Sequence, residues 1–75
     1  MRAMADVDYA VLVKHLRAVA ELSQEQLARE LDVTVGTVNG WENSRHRPIN
    51  AQRKRLRKMA EEQGVAVPRK TGGAR

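Results

Sequence analysis

Between Ser23 and Glu42 the chain reads SQEQLARELDVTVGTVNGWE, and no other stretch restricts its fold as much. Ser23 with Gln26 three residues later is a capping box: the hydroxyl accepts from a free amide of the first turn, and Gln26 reaches back to the amide of Ser23. Leu22 and Leu27 flank that start at the spacing of a hydrophobic staple. Leu27, Ala28 and Leu31 then recur at helical spacing until Asp32, one of the few non-glycine residue types that tolerates a left-handed backbone. Thr34 supplies a second N-cap, Val33 and Val38 repeat the staple spacing, and Val38 with Trp41 gives the second helix an apolar seam. The stretch predicts two short capped helices joined by one tight turn.

These residues resemble the helix-turn-helix of the Cro/CI-type (XRE) family of bacterial and phage DNA-binding proteins. The resemblance rests on LSQEQLA entering the first helix, on Ala28 as the small residue where two helices cross, on the LDVT turn, and on TVNGWEN, where the family has a pattern such as TISRWENG. It runs from about Val13 to about Ala60. The chain departs from the family at Asp32 and Ser44, where Gly is usual, and at Gly36 and Gly40 inside the second helix. The resemblance implies an all-α, lambda-repressor-like bundle of four helices, or of five, that binds double-stranded DNA sequence-specifically and regulates transcription as a repressor-like protein.

Seventy-five residues make one domain, which at this size buries only roughly 60% of its unfolded surface. The absence of cysteine excludes a disulfide or a thiolate metal site and agrees with a reducing cytoplasm, where the chain is expected. Neither a signal peptide nor a membrane span is legible, and no cofactor is called for. Charge is segregated. Residues 1–44 hold four basic side chains against seven acidic ones, a net of −3, whereas residues 45–75 hold ten against two, a net of +8, giving +5 in all. So uneven a distribution favours a polyanionic partner.

In chain order, residues 1–6 lack periodicity and read as a frayed end. A first helix is predicted from Asp8 as N-cap to Ala20, with Leu12, Val13, Leu16 and Val19 as its apolar stripe and Tyr9 over one end of the core. His15 lies off that stripe without partner ligands and reads as a surface residue. NSRHRPIN forms a loop, since Pro48 forbids helix and pushes His46 and Arg47 toward extended conformations. Asn50 is the expected cap of a last helix over 51–63, with Leu56, Met59 and Ala60 on its apolar face and Gly64 as its stop. The domain is expected to span 1–64, with 65–75 as a flexible basic tail.

The resemblance also assigns roles. It implies that the first helix of the pair crosses the DNA backbone and the second lies in the major groove. Gln24 then meets phosphate or base at the start of the first helix, and Thr34, Val35, Gly36, Thr37, Asn39 and Gly40 form the exposed face of the second. Among these Asn39 can pair with adenine, Val35 can meet a thymine methyl, and the threonine hydroxyls can serve bases or phosphates. Arg45, Arg47 and Arg53 are nominated for phosphate contacts, with Arg69 and Lys70 as lesser contributors. Arg17 and Glu42 stand where the family commonly forms an ion pair. By helix propensity alone, alanine at position 40 should strengthen the second helix by about 1 kcal/mol.

No spacing of nucleophile, base or paired carboxylates supports catalysis, so the chain is not read as an enzyme. The competing reading is an antitoxin-like or adaptor module whose exposed face binds a protein, with DNA binding secondary or lost, favoured by the two glycines of the second helix. RNA is a more distant partner, because Tyr9 and Trp41 are the only aromatic residues. Oligomeric state stays open: a palindromic operator requires a homodimer, and after Gly64 the chain offers only Val65 and Val67 for one.

Overall fold

A computed structural model of the chain describes residues 7–70, so the expected frayed end lies outside the described residues. Four helices form: α1 (Tyr9–Ala20), α2 (Gln24–Leu31), α3 (Val35–Glu42) and α4 (Asn50–Gln63). The all-α architecture is the expected one, with four helices and not five among the described residues. Among the described residues, extended pairing is confined to one antiparallel bridge between Val7 and Arg69.

Each of the first three helices starts where its side-chain cap stands. Asp8 accepts from the Val11 amide, Ser23 and Gln26 complete both halves of the capping box, and Thr34 Oγ1 accepts from the Thr37 amide. α4 differs from expectation by one residue. Ile49, extended at φ −76° and ψ 170°, holds the cap position, and its amide donates to Gln52 Oε1 at 2.9 Å. Ile49 has no side-chain acceptor to offer, and Asn50 sits in the first turn with its Oδ1 accepting from Arg53 Nη2 at 2.7 Å. α4 therefore starts with half a capping box.

All four helices end the same way, in a Schellman motif with a left-handed residue just past the last turn. Glu21, Asp32, Ser44 and Gly64 take φ values of 57°, 59°, 59° and 70°. In each case the next amide reaches back five residues: Leu22 to Arg17 O, Val33 to Ala28 O, Arg45 to Gly40 O and Val65 to Ala60 O, all at 2.8–2.9 Å. Leu22, Val33 and Val65, the residues that make these bonds, pack partly buried against the core. Arg45 is the exception and stays exposed. Both positions where the family usually has Gly, Asp32 and Ser44, thus carry a left-handed backbone that glycine would adopt without steric cost.

The core gathers Leu12, Val13 and Leu16 of α1, Leu27, Ala28 and Leu31 of α2, Val38 and Trp41 of α3, and Leu56 and Ala60 of α4. α1 packs against both α3 and α4, and α2 packs against α3. Val19 does not belong: it is 53% exposed, because the seam of α1 continues through half-buried Ala20, four residues after Leu16. Tyr9 closes one end as expected and accepts a bond from Arg57 Nη1 at 2.9 Å. The segment expected as a tail packs in its first part. Val65 and Val67 lie against the core, the Asp8 amide donates to Pro68 O at 2.9 Å, and Val7 pairs with Arg69. Val65 and Val67, just past α4, thus lie on the core where the chain returns to the start of α1.

Candidate nucleic-acid interface

One polar network joins α1, α2 and α3. Arg17 of α1 grips Glu42 at the end of α3 with two bonds, Nε to Oε2 at 2.7 Å and Nη2 to Oε1 at 3.1 Å, and also donates from Nη1 to Leu22 O at 3.1 Å. Gln24, the first residue of α2, donates from Nε2 to Glu42 Oε1 at 2.9 Å. The ion pair is the expected one. The Glu42 side chain is only 7% exposed. Burial pushes its carboxyl up, but bonds from Arg17 and Gln24, with the charges of Arg17 and Lys14, outweigh burial and hold it below the usual carboxylate range. The bond to Glu42 raises the Arg17 guanidinium in turn. Three helices thus meet at one carboxylate, and Gln24, expected to face DNA, has its amide nitrogen committed to it.

On α3, Val38 and Trp41 face the core, while Val35, Gly36 and Asn39 turn away from it. Val35 is 44% exposed and Gly36 is exposed with open space around it; the nearest atom to a Cβ there would be Thr34 Oγ1 at 3.8 Å. Thr34 and Thr37 share a hydroxyl bond of 2.9 Å at the helix start. Asn39 is half-buried, and its Oδ1 accepts from Asn43 Nδ2 at 3.2 Å while its carbonyl accepts from the same nitrogen at 2.9 Å. That bond turns the Asn39 amide oxygen toward Asn43 and leaves its own NH2 without a partner among the described residues.

Gly40 departs from expectation. It is buried, because the His46 ring from the following loop lies over it, and a Cβ would collide with Nε2 and stand 2.7 Å from Cδ2 and Cε1. Alanine at position 40 therefore has to displace the ring, and the gain expected from propensity does not stand alone. The contact of His46 with Gly40 is the feature of this face that sequence reasoning missed. The signal for it was a side-chain-free position on α3 followed by a short loop closed by Pro48.

Arg45 and Arg47 are exposed in that loop. Arg53 is half-buried and leans on Asn50 with one of its five N–H groups. Arg55 and Arg57 are tied elsewhere, to Glu30 O and to Tyr9 Oη at 2.9 Å each. Lys70 lines the same shallow hollow as His46 and Arg47, so the returning strand brings its basic end beside the loop.

Two capped helices tied through Glu42, with an outward second helix and a basic loop after it, define a helix-turn-helix DNA-binding domain. The chain belongs to the Helix-turn-helix domain family, of the XRE/Cro-like type, which it matches over residues 8–65. No curated protein and no solved structure matches it. Among the described residues, no cluster of His, Cys, Asp or Glu could hold a metal ion, and no helix is long and apolar enough to cross a membrane.

Proposed function

We propose that this domain binds double-stranded DNA sequence-specifically and regulates transcription in the cytoplasm as a repressor-like protein, without enzymatic activity. The observation that carries the reading is the outward face of α3, a helix tied through Glu42 to α1 and α2. With α3 in the major groove, α2 crosses the backbone, and the first-turn amides of α2 and α3 point toward phosphates. Asn39 is the reader. Its unpartnered NH2 donates to adenine N7 while the free lone pair of Oδ1 accepts from N6. Val35 meets a thymine methyl, Thr34 and Thr37 serve base edges or phosphates, and Gly36 lets the α3 backbone approach closely. Arg45, Arg47, Arg53 and, beside them, Lys70 neutralise phosphates.

Selection of bound DNA from a random pool tests this. A motif should emerge, and its half-site spacing, about 34–36 Å for successive turns, reports whether the protein binds as a homodimer. Asn39→Ala should relax one position, an A·T pair, by roughly 1–3 kcal/mol. A motif unchanged in that variant removes Asn39 as reader. The second reading, a protein-binding module, is favoured by the exposed Ile49 (62%) and Val35; it requires that the selection return no motif.

A further inference from the structure

The loop after α3 folds back over the helix it leaves, and His46 makes the contact. At 100° per residue, Gly36, Asn39 and Gly40 fall opposite the Val38 and Trp41 seam, so position 40 belongs to the face turned toward DNA. No side chain projects there. In its place lies the imidazole of His46, with Nε2, Cδ2 and Cε1 filling the space a Cβ would take. The residue is exposed, and because the Nε2 edge lies against Gly40, Nδ1 is the ring nitrogen on the side away from it. Its placement is supported at both ends of the loop: the Arg45 amide donates to Gly40 O at 2.9 Å, and Pro48 is fully buried. Among the described residues neither imidazole nitrogen has a hydrogen-bond partner.

An exposed, unpartnered imidazole lying over the outer face of a recognition helix adds one hydrogen-bonding nitrogen, Nδ1, to the face where base edges arrive. We propose that His46 contacts a base, standing in for the side chain that position 40 lacks, and that Gly40 is the socket that admits it. The base is a purine: a ring N–H offers one hydrogen bond, and guanine presents two adjacent acceptors, N7 and O6, to the major groove. The inference rests on the DNA-binding reading above.

Selection from a random DNA pool, run on the full chain for the wild type, His46→Ala, Gly40→Ala and the double variant, tests it. His46→Ala removes an exposed group that makes no internal bond, so the protein should fold, as circular dichroism would show. It should keep the rest of the motif and lose about tenfold preference at one base pair. Gly40→Ala, whose methyl expels the ring, should lose preference at that same base pair, and the double variant should be no worse than either single one. If Gly40→Ala fails to fold, His46→Ala decides alone. A wild-type motif that His46→Ala leaves intact at every position overturns the proposal and spares the DNA-binding reading. A uniform loss over all sequences with a flatter salt dependence also overturns it, by assigning His46 to phosphate. A wild type with no motif and no salt-dependent binding sinks both.

Discussion

Glu42 shows how one residue joins the helices of a motif. Its carboxylate is buried yet satisfied by Arg17 and Gln24, so removing a partner leaves a charge without compensation. Arg17→Ala should destabilise by about 2–4 kcal/mol, well above the 0.2–1 kcal/mol of exposed pairs, in urea unfolding. The pH dependence follows from the depressed carboxyl. A group whose folded pKa is lowered contributes stability that is complete above its unfolded value, about 4.3, and lost as pH falls through the folded value. The stability gap between wild type and Glu42→Gln should hold steady from pH 7 to about 5.5 and shrink below about 4.5; a gap constant down to pH 3 would contradict the assignment. Ser44, left-handed at φ 59°, illustrates the opposite case, a residue out of its preferred region. Ser44→Gly relieves roughly 1–2 kcal/mol of steric cost against an added unfolded-state entropy of about 0.4–1, so a net gain of about 0.5–1 kcal/mol should appear in the same assay. Destabilisation by glycine would mean that the Ser44 side chain makes a contribution of its own.

At the scale of elements, the loop between α3 and α4 behaves as part of the recognition helix. Its first residues complete the Schellman motif of α3, its middle residue covers Gly40, and its buried Pro48 starts the approach to α4. Arg45 therefore leaves the end of α3 in a defined direction. It holds the position that Leu22, Val33 and Val65 occupy in the other three motifs, where an apolar side chain packs inward. Placing arginine there turns a packing position into an exposed cation. Each phosphate neutralised contributes about 0.9 to the slope of log K against log salt. Arg45→Ala with Arg47→Ala should weaken binding to all sequences alike and lower that slope by about 1.8. Unchanged salt dependence in a folded double variant would show that the loop points away from DNA.

At the scale of the whole molecule, a small core is closed by its two ends. Val65 and Val67 pack against it, and the bond from Asp8 to Pro68 O joins the N-cap of α1 to the returning chain. Replacing both valines by serine should cost about 1–3 kcal/mol and lower Tm by several degrees. An unaffected Tm would make 65–70 the free tail that its composition suggests. The four helices, the side-chain caps of the first three and the stops at Asp32 and Gly64 were legible in the sequence, because caps, staples and the residues tolerant of a left-handed backbone act within one or two turns. So was the core face of each helix, apart from Val19, because a period of 3.6 residues marks it. The Arg17–Glu42 pair was legible through resemblance. Tertiary structure alone decided the rest: that Gln24 completes the Glu42 network, that Val65 and Val67 are drawn onto the core, and that His46 covers Gly40. Each of these depends on which surfaces distant segments bring together, and neither propensity nor periodicity carries that information across a loop.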